Sequence, residues 1–328
     1  MTRIGTGKLR QQNDHTVLRL LIENPHITKK ELAQFSSLTV ATVGTILNDF
    51  VHKGIVQVSD EVHLAMGRPT QRFVIQEDFF HILSIFIQRQ NNQNYLCYEI
   101  KNALSQILQK ETIELDSLEQ EMLIKKIVDI YHRDSHIQIV GIGVPAIVSN
   151  GVLIESDIPE LKGWLLKEQL EQKMSCPIII KNDMNYTAYG YYASQQLHED
   201  ICFVTYPFNS GPGCGSMING QLLEGRNEIA GEILYLPFFH FLSQKQHVDY
   251  SVENVALSLC CLASILNPSI VVLTGEAILA SDIEAIEQIC LQYIPEAFMP
   301  KIYYQQDYNE YYMQGIYLLS LKFLLDQV

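Results

Sequence analysis

Over the first 76 residues the apolar positions recur every three or four residues, then briefly every second one. Val17, Leu20 and Leu21 share one face of residues 13–23, which predicts a helix. Pro25 interrupts it. Thr28-Lys29-Lys30-Glu31 has the spacing of a capping box, in which hydroxyl and carboxylate satisfy free amides reciprocally. Leu32 and Phe35 are expected to carry that second helix inward. Ser36-Ser37-Leu38 makes a tight turn, and Thr39 caps a third helix to about Lys53. Its buried stripe is Val43, Ile46, Leu47 and Phe50, and Gly54 stands where a helix needs a left-handed terminator. Residues 55–58 and 73–75 read as two strands, with Gly67-Arg68-Pro69-Thr70 as the hairpin tip between them. After residue 80 apolar strands alternate with helices, an α/β pattern. No apolar run approaches the ~18 to 20 residues that a membrane helix needs.

Two short helices, a tight turn and a longer third helix are the helix-turn-helix layout, and the two strands add a wing. Thr39, Val40, Thr42, Thr45 and Asn48 lie off the apolar stripe of the third helix. They are short, mostly hydroxylated and carry no negative charge, which suits a major groove. Arg68 at the wing tip is placed to enter a minor groove or clamp a phosphate. The same periodicity would also serve a three-helix module that touches only protein. The wing arginine, the capping box, the N-terminal position and the charge balance together favour DNA. The 328 residues carry a formal net charge of −14, yet residues 1–76 hold nine Lys/Arg against six Asp/Glu, a formal +3, leaving −17 for the rest. A basic head on an acidic body favours DNA at the head. Seven scattered cysteines with no C-x-x-C pair read as buried thiols in a reducing cytoplasm, and residues 1–14 contain no apolar signal core, which predicts no export.

The body carries its chemistry in ordered segments. Val140-Gly141-Ile142-Gly143-Val144-Pro145 ends a strand in a turn. A strand at 178–180 runs into Lys181-Asn182-Asp183-Met184-Asn185. Asn209-Ser210-Gly211-Pro212-Gly213-Cys214-Gly215 is a glycine loop, and Gly225-Arg226-Asn227-Glu228-Ile229-Ala230-Gly231-Glu232-Ile233 follows. Asn267-Pro268 precedes a last strand ending in Thr274-Gly275. In this order and spacing, behind a Gly-Arg-Pro wing, they resemble the ROK family of repressors and sugar kinases from about residue 8 to the C-terminus, and the repressor branch most closely. The resemblance implies an α/β fold: a winged helix-turn-helix over 1–76, then a two-lobed actin-like ATPase (ribonuclease H-like) body. Its first lobe would span 77–195, completed by a helix at 310–328, and its second lobe 196–309.

The resemblance also places a sugar site. Asn182 and Asp183 match the family's Asn-Asp pair, where the Asp is the catalytic base of kinase members, and Glu232 matches the Glu of its Ala-Gly-Glu segment. An amide and two carboxylates suit a polyol, and a carboxylate near a hydroxyl can take its proton. On residues alone, Asp183 reads as a helix cap after a strand, and the resemblance turns that reading to a sugar contact. Tyr235 stands where the family has a histidine that bonds sugar and zinc, and a phenol is a poor zinc ligand. The usual cysteine cluster is missing between Tyr235 and Tyr250, so no structural zinc is expected. His240 and His247 read as surface or partly buried histidines, and Cys260-Cys261 as core.

Three departures concern ATP. Family kinases open the body with Asp-x-Gly-Gly-Thr; here Phe86 stands at the Asp position, with Gln88 and Arg89 in place of glycines. Asn209-Ser210-Gly211 replaces Gly-Thr-Gly, with Pro212 removing an amide donor. Thr274-Gly275-Glu276 replaces the glycine-rich turn beside the adenosine. The expectation is therefore a cytoplasmic DNA-binding regulator, a repressor, without enzyme activity or cofactor. It would bind double-stranded operator DNA as a homodimer or tetramer, and a carbohydrate effector at Asn182, Asp183, Glu232 and Tyr235. The alternatives are an ATP-dependent sugar kinase with a fused DNA-binding head, and a regulator that no longer binds carbohydrate. The tyrosines at 303, 304, 308, 311 and 312 read as core and interface packing.

Overall fold

A computed structural model describes residues 6–62, 70–90, 93–156, 158–208, 210–239 and 250–327. The head consists of α1 (Thr6–Glu23), β1 (Ile27–Thr28), α2 (Lys29–Ser36), α3 (Val40–His52), β2 (Val56–Val62) and β3 (Thr70–Ile75). The capping box forms as the spacing predicts: Thr28 Oγ1 accepts from the Glu31 amide, and the Glu31 carboxylate accepts from the Thr28 amide at 2.8 Å. Thr39 caps α3, whose Val43, Ile46, Leu47 and Phe50 are buried. Three details differ. The first helix begins at Thr6 rather than 13. Phe35 is 56% exposed, and Ala33 fills the inward position beside Leu32. A third strand, β1, joins the wing sheet in the order β1-β3-β2, with Ile27 opposite Phe73. The wing tip, with Arg68, lies outside the described residues.

The body contains one topology twice. In the first sheet β4 (His81–Gln90), β5 (Gln93–Asn102) and β6 (Ile107–Leu115) form an antiparallel meander. After α4 (Gln120–Tyr131), β7 (Ile137–Val144) joins β4 in parallel; a small hairpin, β8 (Ala146–Ser149) with β9 (Val152–Ser156), and α5 (Leu166–Glu171) precede β10 (Ile178–Asn182), parallel to β7. The order is β10-β7-β4-β5-β6. After α6 (Asp183–Ser194), the second sheet repeats the scheme. β11 (Ile201–Thr205), β12 (Gly213–Ile218) and β13 (Gln221–Leu222) form the meander. α7 (Val252–Leu266) leads to β14 (Ile270–Thr274), and α8 (Ile283–Cys290) to β15 (Lys301–Tyr304), both in parallel.

The last helix, α9 (Asn309–Gln327), returns to cross α6 between the sheets. The crossing is close because both helices offer a glycine. A Cβ on Gly190 would lie 1.9 Å from the Tyr311 carbonyl oxygen, and one on Gly315 would lie 1.8 Å from that of Tyr186. α6 packs on β11 and β12, and α9 on β4 and β7. The far end of α9 belongs to the head. Tyr317, Leu324 and Leu325 share one buried cluster with Val17, Leu18 and Leu21 of α1, Leu47 of α3, and Phe80, Ile82 and Ile139 of the first sheet. His15 of α1 is also hydrogen-bonded to the Leu325 carbonyl. Among the described residues no helix is long and apolar enough to cross a membrane.

Candidate functional site

The outer face of α3 is open. Thr39, Val40, Thr45 and Asn48 are exposed and Thr42 is half-buried. Local bonds hold several of the hydroxyls in place. Thr39 Oγ1 accepts from the Thr42 amide at 3.1 Å and lies 2.8 Å from Thr42 Oγ1, while the Thr45 hydroxyl donates to the Ala41 carbonyl. A side chain that caps or back-bonds still presents its methyl and second lone pair outward. Lys29 reaches over Gly44, where a Cβ would stand 3.3 Å from Nζ, so a cation borders the α2–α3 contact.

The second candidate region lies where the ends of β7 and β10 meet the start of α6. β10 places Asn182 opposite Val144. The Asn182 side chain accepts from the Met184 amide at 2.8 Å and donates to the Ala146 carbonyl at 3.2 Å. Asp183 Oδ1 also accepts from Met184 N–H, at 2.8 Å. Both residues therefore do act as caps, but Asp183 is only partly buried and carries a second carboxylate oxygen. Burial, and after it the Asp183 charge, holds the Tyr308 and Tyr312 hydroxyls above the ordinary phenol range.

β12 connects this corner to the second sheet. Gly213 and Gly215 lie against Met184: a Cβ on Gly215 would stand 2.1 Å from the Met184 carbonyl. On the same strand the Cys214 amide donates to the Gly231 carbonyl at 3.0 Å. The Cys214 thiol is pushed up by its contact with Cys202 and by burial, with the neighbouring Glu232 carboxylate adding to the effect. So Met184, next to Asn182–Asp183, and Gly231, next to Glu232, both touch β12. Tyr235 ends the short turn Ile233–Tyr235 and is 52% exposed.

The region around Phe86 is filled. Phe86 is buried and stacks on Tyr312, centroids 4.7 Å apart at 25°. A Cβ on Gly143 would meet the Tyr312 hydroxyl at 2.3 Å. That hydroxyl is buried without a hydrogen-bond partner among the described residues. Arg89 is tied down by Nε donating to Asn94 Oδ1 at 2.7 Å and by an ion pair with Glu160 at 3.0 Å.

The ROK family pattern matches residues 95–237, and a winged helix-turn-helix DNA-binding pattern matches residues 10–57. The chain carries a ROK family domain behind a winged helix-turn-helix head. Among relatives of this ROK chain, the N-acetylglucosamine repressor of Escherichia coli O157:H7 is 25% identical over 245 residues, covering 70% of the chain and 59% of the repressor. The match thus spans less than two thirds of that relative. Among solved structures, a ROK family transcriptional regulator, a homologue of the E. coli MLC protein, superposes with a TM-score of 0.71 at 14% identity, over 95% of this chain and 96% of the other. A ROK hexokinase from Thermus thermophilus superposes with a TM-score of 0.60 at 15% identity, over 75% of this chain and all of the other. These likenesses show that the ROK body is built on the fold that the family's kinases share.

The zinc that a ROK fold implies does not fit this chain. Tyr235 offers a phenol where an imidazole is needed, and no cysteine lies between Cys214 and Cys260. His240 and His247 fall outside the described residues. Reading along the sequence missed two other features of the crevice. The Asp183 charge is felt at the Tyr308 and Tyr312 hydroxyls, although their sequence neighbourhood suggests only packing. Lys181 bonds Glu224 and stands 3.7 Å from Glu228, whose other oxygen accepts from the Asn150 amide at 3.1 Å. This charged strap joins β10 to the segment leading into Glu232, and no spacing in the sequence announces it.

Proposed function

We propose that the protein is a DNA-binding transcriptional repressor whose body senses a sugar or sugar phosphate and does not phosphorylate it. The observation that carries this reading is the path of α9. Its first half packs along α6, the helix that Asp183 opens, and its last turn shares the buried core of the head. At about 1.5 Å per residue, its 19 residues span about 28 Å as one rod. A ligand held from both sheets favours the closed arrangement of the lobes. It can alter the head only by its differential affinity for the two states, and a coupling of about 1–3 kcal/mol changes operator affinity several-fold to a hundredfold.

In this reading Asn182, Asp183 and Glu232 hold the sugar hydroxyls, with Tyr235 on the wall. Thr39, Val40, Thr42, Thr45 and Asn48 face the major groove, and Arg68 holds the minor groove or a phosphate. The divisions at 76 and 195, with α9 completing the first lobe, are part of the same reading. The regulator acts as a dimer or a dimer of dimers, because one winged head makes few base contacts and two-fold pairing over a palindrome doubles them. The kinase alternative is disfavoured by the Phe86–Tyr312 stack at the position of the family's metal-side carboxylate, which leaves the phosphates neither charge nor room.

The test is fluorescence anisotropy of the full chain on DNA selected from a random library, with free and phosphorylated sugars added in turn. One sugar should shift operator affinity at least several-fold, and Asn48→Ala should change the selected sequence. Turnover of any sugar near one per second that disappears in Asp183→Asn would install the kinase reading instead.

A further inference from the structure

The first residue of β4 lies at the joint between head and body. His81 is buried at 4% exposure, and both ring nitrogens face carboxylates. Nδ1 is 2.6 Å from Asp134 Oδ2, and Nε2 is 3.1 Å from Asp78 Oδ1. The second Asp134 oxygen accepts from the His136 amide at 2.9 Å and lies 3.5 Å from His136 Nδ1. The two imidazoles sit with centroids 5.1 Å apart, and the His81 amide donates to the His136 carbonyl at 2.8 Å, which locks their backbones together. One ligand atom each from His81, Asp134 and His136 lies within 4.8 Å of the others.

We propose that His81, Asp134 and His136 bind a divalent transition-metal ion of the zinc class. Two imidazoles and one carboxylate are a borderline-soft donor set that favours zinc, cobalt or nickel over magnesium or calcium. Bonds of about 2.0–2.1 Å to a tetrahedral ion put its ligand atoms about 3.4 Å apart. The trio reaches this spacing when Asp134 Oδ2 draws back from His81 and the exposed His136 ring turns inward. On binding, His81 Nδ1 gives up its proton or its hydrogen bond and takes the metal. Its Nε2–H then donates to Asp78, the outer carboxylate that fixes a ligating imidazole and raises its basicity. Water fills the remaining position, since His136 is open to solvent.

The location gives the site a consequence. Asp78 belongs to the turn Glu77–Phe79 that joins β3 to β4. That joint is already held by Ala103 N–H on the Glu77 carbonyl and by the Gln138 amide on the Phe79 carbonyl at 2.8 Å. A metal on His81 fastens the same joint from below through Asp78. The site is separate from the crevice and from the family's zinc position near Tyr235.

The experiment uses the full chain, stripped with a chelator and titrated with Zn²⁺, Co²⁺ and Mg²⁺ against a chromophoric competitor, with melting followed in parallel. Wild type should take up one Zn²⁺ per chain at this site and melt at a higher temperature with it, while Mg²⁺ does neither. Co²⁺ should give visible d–d bands without thiolate charge transfer. His136→Ala, an exposed change that leaves the core intact, should remove the bands and weaken Zn²⁺ at least tenfold. Asp78→Asn, which touches no metal, should weaken it about 10- to 100-fold. Equal Zn²⁺ affinity and stoichiometry in wild type, His136→Ala and Asp78→Asn would overturn the proposal, as would Co²⁺ bands that persist in His136→Ala.

Discussion

Two regions of the body stand in contrast. On one side Asn182, Asp183 and Glu232 keep polar groups partly open around β12. On the other, Phe86, Tyr312 and the tethered Arg89 occupy the space with rings and an ion pair. Both sides are built from the same repeated strand scheme, so the fold does not dictate the difference. A carboxylate needs water or a hydroxyl partner to stay charged, whereas a stacked ring pair is stable only when water leaves. The filled side therefore contributes stability, and the open side keeps ligand chemistry.

The comparison can be broken first at Phe86. Phe86→Ala removes a buried ring from a tight stack and should cost about 3–5 kcal/mol of stability in urea denaturation, with no gain in ATP hydrolysis. A loss under about 1 kcal/mol would mean that the wall is not filled at all. The open wall is tested by Asp183→Ala combined with Glu232→Ala. Losing hydrogen bonds to two charged groups should weaken the sugar by about 3 kcal/mol, roughly a hundredfold by calorimetry, and leave operator binding without sugar nearly intact. A sugar that binds the double variant as well as wild type sits elsewhere.

Tyr312 belongs to both walls, and its buried hydroxyl lacks a partner among the described residues. Tyr312→Phe should raise stability by about 1 kcal/mol, because an unsatisfied buried hydroxyl is removed. If that hydroxyl also meets the ligand, sugar affinity should fall about tenfold in the same variant. A fall in stability would show that the hydroxyl is satisfied in solution. The smallest effect is expected at Arg89. Its pair with Glu160 is partly exposed, so Arg89→Ala should change stability by about 0–1 kcal/mol. A larger loss would make that pair, and not the aromatic stack, the main seal of the filled wall.

The head was largely legible in the sequence because its signals are local. Capping at Thr28 and Thr39 and the stripe from Val43 to Phe50 each depend on residues within a few turns. Its misses have local causes too. Residues 6–12 are polar and carry no apolar period, so the start of α1 leaves no mark. β1 has two residues, too few for a period of two. Phe35 fits the helical spacing of α2, but Ala33 is the residue that the neighbouring elements cover. In the body, Asn182 and Asp183 stood out only through the family resemblance, since a polar pair after a strand by itself marks a turn. The repeated sheet topology and the Gly190–Gly315 crossing did not, since they join positions more than a hundred residues apart. For the same reason the contact of Tyr312 with Tyr186 gave no sign, and the 53 residues between His81 and Asp134 already exceed any local period.

The return of α9 also sets an order of assembly. During synthesis the head and the first sheet emerge early, yet their shared core lacks Tyr317, Leu324 and Leu325 until the last turns are made. Until then Ile82, Ile139 and the inner faces of α1 and α3 have no cover on that side. The nascent chain therefore carries a half-built core through the whole translation of the second lobe, a span in which such surfaces attract chaperones or one another. The final helix thus closes a core that the head and the first sheet begin.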